Sequence, residues 1–325
     1  MTKKLTAIKN RSSLIFLFIG LLILAVLLYY LDFNVIRESF NIIGFKILIV
    51  FAVAILWIIC NTLCIATLVD YKVPFHHLLY NQVTGDGYNV ITPFAGLGGE
   101  PYKVKHLTNW LSLDKASEAI MRDRLIHSLS GIIYTSLTLW AVILFIQLET
   151  SFFFTFLVIG LVLTLFSALL SYLILSDKPE RFLGFVLKKL RLLEEFRSKP
   201  LSHNLFYKAL CFKLLGRVLN MIEFFVIFIL LGMEPYILEI ITVSAMLALS
   251  GTLLFIIPQG IGINEAGISG AFKLIGHSAE LGLSVGLIRR ARVLFWALLG
   301  IGLHLFSLLL SNWGLDKSIG QKRHS

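Results

Sequence analysis

Long apolar runs alternate with short polar segments along most of this chain. The runs cover about residues 14–31, 45–69, 119–148, 152–175, 205–231, 236–257 and 292–310. A helix of about 20 apolar residues matches the thickness of a bilayer, so the pattern predicts an all-α fold, a polytopic membrane helix bundle of about seven to eight spans. We expect residues 1–325 to form a single integral membrane domain.

Two polar segments interrupt this pattern in a similar way. Each places a proline seven residues before a glutamate, with glycines between: Pro93, Gly98 and Glu100 within residues 74–113, and Pro258, Gly260, Gly262 and Glu265 within residues 258–280. Proline and closely spaced glycines interrupt a helix, and irregular backbone persists in a membrane only where protein or water satisfies its amides. Chance is the alternative explanation. Because acidic, apolar and basic blocks follow in the same order, we interpret the segments as two pseudo-repeats, each with a broken, re-entrant segment.

Polar side chains accompany both breaks. Asn89 precedes the first break and Asn264 lies within the second. Arginines follow each break and are expected to open a long apolar helix: Arg122 and Arg124 first, then Arg289, Arg290 and Arg292. Carboxylates favour helix N-termini, so Glu100 and Glu265 are also expected to cap the helices after the breaks.

The apolar run at 205–231 carries Arg217, Asn220 and Glu223 at intervals of three, which places them along one helical face. Buried charges in a membrane helix are candidates for function. An internally paired, purely structural Arg–Glu contact is the equal alternative. Lys213, near the end of this run, is expected to snorkel to the interface.

Composition excludes an ordinary soluble domain. The chain is 57% hydrophobic and 15% charged, with a mean hydropathy of +0.85, whereas soluble domains average about 25% charged residues. The net charge is +10, and the basic residues lie between the apolar runs, as the positive-inside rule describes. No nucleic-acid partner is therefore expected. The cysteines are expected to be packing residues, and the sequence predicts no metal site and no cofactor.

Basic residues predict the sides of the membrane. They favour a multi-pass protein of the cell membrane with a cytoplasmic N-terminus, and a cytoplasmic amphipathic loop at 176–204 that lies against anionic lipid. Seven full spans would leave the basic C-terminal tail outside. Either the second break makes a net crossing or the tail is an exception.

The two breaks resemble signatures of the lysylphosphatidylglycerol synthase transmembrane region, also called the flippase-like family. Asn89, Pro93, Gly98, Glu100 and Arg124 fit its first motif, and Pro258, Gly260, Gly262, Glu265 and Arg289 or Arg290 fit its second. The likeness covers about residues 14–311. It implies a membrane-embedded core that moves a charged lipid between leaflets. Since few residues follow the last span, we expect no synthase domain, and a separate lipid-synthesising enzyme is a possible partner.

The resemblance and the residues together favour a lipid translocator whose partners are anionic or polyprenyl-linked membrane lipids. The expected substrate-binding residues are those of the two motifs together with Arg122, Arg217, Asn220, Glu223 and Asn264. Glu100 and Glu265 are expected to pair with a cationic headgroup, to take up a proton for coupling, or to neutralise the arginines. The alternative is a membrane-embedded enzyme, such as a polyprenyl-phosphate glycosyltransferase, with Asp86 or Glu100 as its catalytic carboxylate. A non-transporting scaffold would leave the intramembrane charges unexplained.

Overall fold

The computed structural model describes residue 18 and residues 21–92, 98–175, 201–253 and 257–312, and every regular element in these ranges is helical. The helices are α1 (Leu21–Tyr30), α2 (Phe33–Ile43), α3 (Ile47–Leu68), α4 (Phe75–Ile91), α5 (Glu100–Leu107), α6 (Leu113–Phe145), α7 (Thr150–Leu175), α8 (His203–Leu230), α9 (Ile237–Leu253), α10 (Ile263–Leu274) and α11 (Ala279–Asn312). Short 3₁₀ turns cover Gly44–Lys46 and Pro258–Gly260. The predicted cytoplasmic loop lies outside the described residues except for 201–204.

The polytopic helical bundle predicted from the sequence is confirmed. Within the described ranges, four helical segments are long and apolar enough to cross a membrane: Phe33–Leu68, Leu113–Phe145, Thr150–Leu175 and Ala279–Leu310. Helix α8 has 28 residues and is about 42 Å long, which also suffices, but it carries several charges. Helix α9 has only 17 residues. The number of spans stays a prediction.

Helices α3–α6 and α8–α11 form two sets with matching contacts. Within each set the first helix packs on the second, the second on the third, and the third on the fourth. Between the sets, α3 packs on α8, α4 on α11, and α6 on α9. If α3–α6 are exchanged in order with α8–α11, these pairings stay the same. The contact of α7 with α6 then corresponds to the contact of α2 with α11. This pattern supports the predicted repeat.

Apolar clusters at the base of each broken hairpin repeat the same correspondence. One cluster joins the end of α3, the start of α4, the end of α5 and the start of α6, through Ile65, Leu78, Leu107 and Ile120. The other joins the end of α8, the start of α9, the end of α10 and the start of α11, through Phe228, Ile240, Phe272 and Val285. Each hairpin is therefore anchored by its two outer ends.

Glycines allow a close helix approach between α4 and α11. A Cβ at Gly87 would lie 2.8 Å from the Ala297 carbonyl oxygen, and a Cβ at Gly300 would run into the backbone of Val83. Small residues at membrane helix contacts let backbones meet and gain dispersion energy that large side chains would prevent.

The arginine clusters do not open their helices, contrary to the sequence prediction. Helix α6 begins at Leu113 and α11 at Ala279, so Arg122 and Arg289 lie nine and ten residues inside them. The predicted start of the last span near residue 292 is wrong for the same reason. Polar residues such as Glu118 and Glu280 extend each helix toward its N-terminus, where hydropathy alone ends the span too early.

Candidate functional site

The first break is held by the side chain of Asn89, at the end of α4. Its Oδ1 accepts a hydrogen bond of 2.7 Å from the Gly99 backbone N–H, and its Nδ2 donates to Glu100 Oε1 at 3.3 Å. Arg124 of α6 lies 3.6 Å from the same glutamate oxygen. A Cβ at Gly99 would run into the carbonyl of Gly85, so only glycine lets the start of α5 sit this close to α4.

The second break turns the chain through three residues with positive φ: Gln259 at 54°, Gly260 at 58° and Gly262 at 77°. Glycine adopts this region freely, while for glutamine it costs about 1–2 kcal/mol. The Glu265 carboxylate accepts from the Gly262 N–H at 2.8 Å and thus caps α10, as predicted from the sequence. The structure thereby satisfies one exposed amide of the irregular turn.

Arg290 of α11 ties this turn to the bundle. Its Nε and Nη2 lie 2.9 and 2.8 Å from Glu265 Oε1. Its Nη1 and Nη2 also donate to the carbonyl oxygens of Gln259 and Gly260, at 3.1 and 3.3 Å. One guanidinium therefore bonds the buried carboxylate and two backbone carbonyl oxygens of the irregular turn. Within a membrane, irregular backbone is tolerated only when its polar groups are bonded in this way or by water.

The two breaks touch each other inside the bundle. Gln259 Nε2 donates to the Asn89 backbone oxygen at 2.6 Å. The contact joins residues that lie 170 positions apart in the chain. The second break therefore meets the end of α4, next to the first break, and the space around this contact is shared by both halves.

Three adjoining spaces surround this meeting point. The central cavity, of about 740 Å³, lies among α6, α7, α8 and α9 and includes Arg124, Arg217 and Arg289. The first-half chamber, of about 270 Å³, lies by α4 and includes Asn89 and Lys103. The second-half chamber, also of about 270 Å³, lies by α10 and α11 and includes Glu265 and Arg290. Trp57 of α3 and His127 of α6 line all three.

Lys213 does not snorkel, contrary to the expectation from its position near the helix end. Its side chain is buried, and Nζ lies 2.7 Å from Asp123 Oδ1 and 2.8 Å from Asn61 Oδ1. Lys103, also buried, pairs with Asp86 at 2.9 Å. A buried ammonium needs a carboxylate partner because desolvation otherwise makes the charged form too costly. Each lysine is thus neutralised within the protein.

Glu223 is shared by two arginines of α11. Arg292 donates through Nε at 2.9 Å and Nη2 at 2.8 Å, and Arg289 donates through Nε at 3.0 Å. The Asn220 amide bridges the group when its nitrogen faces Glu223 at 2.9 Å and its oxygen faces Arg289 Nη2 at 3.1 Å. The glutamate therefore pairs with another helix, and the Arg217–Glu223 contact considered from the sequence does not form.

Arg217 binds only neutral groups among the described residues. Its Nε donates to Ser130 Oγ at 3.0 Å and its Nη2 donates to the His127 carbonyl oxygen at 2.9 Å, both on α6. No described carboxylate lies within ion-pair distance. A Cβ at Gly131 would lie 3.0 Å from Arg217 Nη2, so this glycine leaves room for the guanidinium.

The charges around the three spaces do not balance. In the described part of the chain, seven cations line them: Lys103, Arg124, Lys213, Arg217, Arg289, Arg290 and Arg292. Five carboxylates pair with these cations: Asp86, Glu100, Asp123, Glu223 and Glu265. Residues 93–97 and 254–256, at the two breaks, include no ionisable side chain. Among the described residues, the group has a surplus of two positive charges.

Most of the predicted site residues meet here. Those that line a space or bond directly to a lining residue are Asn89, Glu100, Arg124, Arg217, Asn220, Glu223, Gly260, Asn264, Glu265, Arg289 and Arg290. Gly98 and Gly262 are turn residues of the breaks, and the backbone of Pro258 begins the 3₁₀ turn. Arg122 is different: it pairs with Glu118 one turn away and lines none of the three spaces. Pro93 lies outside the described residues.

Sequence reasoning missed several lining residues. Gln259 lies between Pro258 and Gly260, and Arg292 follows Arg290 by two residues. The pattern of each break and its arginines could therefore have indicated both residues. Trp57 lies in an uninterrupted apolar run that carries no signal of a cavity. The pairing of Lys103 with Asp86 and of Lys213 with Asp123 joins residues from separate segments, so only the tertiary structure reveals it.

Comparison with known proteins agrees with this arrangement. The family described as lysylphosphatidylglycerol synthase TM region matches residues 17–302, nearly the whole chain. No curated protein and no solved structure matches the chain. The family match includes both breaks and the arginines that follow them. The chain therefore belongs to the family of the lysylphosphatidylglycerol synthase transmembrane region, whose members are membrane proteins linked to lipid biosynthesis or translocation.

Proposed function

We propose that this protein translocates anionic lipids between the leaflets of the cell membrane, with the headgroup passing through the central cavity. The surplus of positive charge at the meeting point of the two breaks is the observation that carries this proposal. Uncompensated charge in a low-dielectric interior is costly, so an anionic ligand would lower the energy of the site. Arginines also bind phosphate through two hydrogen bonds at once.

Each group of residues has a role in the proposal. Arg124, Arg217 and Arg289 bind the headgroup, because all three line the central cavity. Glu100 and Glu265 hold the two hairpin tips in place and balance neighbouring arginines. Polyprenyl-linked lipids and glycerophospholipids both satisfy this chemistry, and a separate enzyme would supply the lipid.

The proposed topology follows from the short α9. If α4 with α5, and α9 with α10, each form a hairpin that enters and leaves on one side, neither hairpin makes a net crossing. The first apolar run, α3, α6, α7, α8 and α11 then give an even number of crossings. This arrangement puts the basic C-terminal tail on the cytoplasmic side together with the N-terminus, which removes the conflict found from the sequence. Cysteine labelling at Lys322 from outside intact cells should then fail, and efficient labelling would contradict the topology.

The enzyme alternative draws less support. Lys103 and Gln82 bind the Asp86 carboxylate at 2.9 and 2.6 Å, and Asn89 and Arg124 engage Glu100. A general base needs an accessible lone pair aimed at its substrate. Both candidate carboxylates are engaged by neighbouring donors, so these contacts would have to give way before either carboxylate could act as a general base.

Reconstitution in lipid vesicles tests the proposal. Labelled anionic lipids and a labelled uncharged lipid would be added to one leaflet, and arrival in the other leaflet followed with and without protein. We expect the protein to accelerate the anionic lipids selectively. Mass spectrometry of the recovered lipids separates the two functions, since a chemically altered lipid without accelerated crossing would favour the enzyme.

A further inference from the structure

The central cavity contains both surplus charges. Arg217 lines it without a described carboxylate partner. Of the two arginines that share Glu223, Arg292 makes two bonds of 2.9 and 2.8 Å and Arg289 makes one of 3.0 Å, so the second surplus charge resides mainly on Arg289. Arg217 and Arg289 line both the central cavity and the second-half chamber, whereas Arg292 lines the two smaller chambers and not the central cavity.

The same cavity reaches the outer surface of the bundle. Its walls include Phe166 of α7 and Leu253 at the end of α9, which are 49% and 50% exposed. Leu163 of α7 lines it from the inside. In a bilayer an apolar opening of this kind faces hydrocarbon, so an acyl or isoprenoid chain can remain in the membrane while its headgroup occupies the cavity. The occupant that fits is a lipid.

We infer that the preferred lipid carries a doubly charged phosphate, as a terminal phosphate monoester or a diphosphate, and not the single charge of a phosphodiester. This inference rests on the proposed function and specifies its substrate class. A phosphate monoester carries about −1.5 to −2 charges at pH 7 and presents three strong acceptor oxygens. Two negative charges neutralise Arg217 and Arg289 together, whereas a phosphodiester neutralises only one of the two guanidinium groups.

Geometry supports the same class of headgroup. Arg217 belongs to α8 and is held by α6, while Arg289 belongs to α11. A phosphate between them must accept hydrogen bonds from two guanidinium groups on different helices. Three terminal oxygens allow a fork-like contact with each arginine while only one oxygen is shared, whereas in a phosphodiester both non-bridging oxygens would have to be shared.

Paired lipids test the inference in reconstituted vesicles. Phosphatidic acid and phosphatidylglycerol with identical labelled chains differ in headgroup charge at a pH of about 8, since the second pKa of a phosphate monoester is about 6. We expect phosphatidic acid to cross at least about tenfold faster, equivalent to about 1.4 kcal/mol of selectivity. At a pH of about 5 phosphatidic acid loses its second charge, so the ratio of the two rates should fall toward one.

Two variants assign the effect to Arg217. Arg217→Gln should lower the ratio by slowing phosphatidic acid most. Gly131→Ala keeps every charge but places a methyl group 3.0 Å from Arg217 Nη2, and as a helical Gly→Ala change it should not weaken folding. It should also lower the ratio. Lys208→Gln, an exposed change on the same helix, should leave it unchanged.

The outcomes separate the two proposals. Equal acceleration of both lipids at high pH would overturn the inference of a doubly charged headgroup and leave translocation of anionic lipids standing. The inference would also be overturned if the ratio of the two crossing rates did not change with pH or in either the Arg217→Gln or the Gly131→Ala variant. If neither lipid crosses faster than in protein-free vesicles, the proposed function itself fails.

Discussion

The two hairpins share an order of proline, glycines and glutamate, but Glu265 bonds within its own turn as well as to α11, whereas the described contacts of Glu100 are to α4 and α6. Glu265 caps its own turn and pairs with Arg290 at 2.8–2.9 Å, and its side chain is only 3% exposed. Glu100 is 16% exposed and meets Asn89 at 3.3 Å and Arg124 at 3.6 Å.

The difference indicates unequal roles for two glutamates that look equivalent in the sequence. Short, buried, multiply bonded contacts fix a conformation, so the Glu265–Arg290 pair should mainly hold the second turn in shape. Longer contacts to a partly exposed arginine can open at lower cost. The Glu100–Arg124 pair should therefore release Arg124 toward the central cavity when a headgroup enters.

Glu265→Gln should have the largest effect on folding. The amide can still accept the cap hydrogen bond, but it leaves the partly buried Arg290 without this counter-charge, and breaking a buried ion pair typically costs about 3–5 kcal/mol. We expect a large drop in the free energy of unfolding, measured by denaturant titration in detergent micelles. Glu234→Gln, at an exposed position, is the control and should unfold like the native chain. An unchanged stability of Glu265→Gln would contradict the structural role.

Gly99→Ala should follow in magnitude. The added Cβ would run into the Gly85 carbonyl, and overpacking of this kind costs about 1–3 kcal/mol. Gly302→Ala is a matched control because nothing lies within 4 Å of its Cβ position. The alanine there should be neutral or slightly stabilising. Equal thermal midpoints for the two variants would show that α5 can shift away from α4 freely.

Glu100→Gln should lower stability by only about 1 kcal/mol, since its ion pair is long and partly exposed. Its effect should appear in transport: Arg124 loses its contact with the Glu100 carboxylate, which changes how tightly the headgroup is held. We expect the crossing rate of an anionic lipid to change by about tenfold or more while the unfolding curve barely moves. Loss of stability as large as in Glu265→Gln would erase the distinction between the two hairpins.

Arg122→Gln should have the smallest effect. Arg122 pairs with Glu118 within α6 and lines none of the three spaces, although it stands two residues from Arg124. We expect stability and lipid crossing close to those of the native chain. Parallel assays with Arg124→Gln, which should slow crossing, provide the contrast, and a slow Arg122→Gln variant would extend the site beyond the described cavities.

The sequence predicts the bundle, both breaks and the helices that carry the charges. The length of apolar runs and the positions of proline and glycine are local features of the sequence, and these are enough for such predictions. It also predicts that Arg217, Asn220 and Glu223 share a face. It does not predict which charge pairs with which. Asp123 meets Lys213 and Glu223 meets Arg292 across different helices, and such choices depend on packing that no local pattern encodes. The start of α11 was missed because Arg289, Arg290 and Arg292 interrupt its apolar run in the third and fourth turns.

The most direct test of the central claim is the rate at which a labelled anionic lipid crosses vesicles that contain Arg217→Gln, compared with Lys208→Gln. Both substitutions remove one positive charge from α8, but only Arg217 lines the central cavity. With equal amounts of folded protein in the membrane, we predict that Lys208→Gln retains the native rate and that Arg217→Gln slows crossing by at least about tenfold. An unchanged rate in Arg217→Gln would contradict the claim that the surplus positive charge of the cavity binds the lipid headgroup.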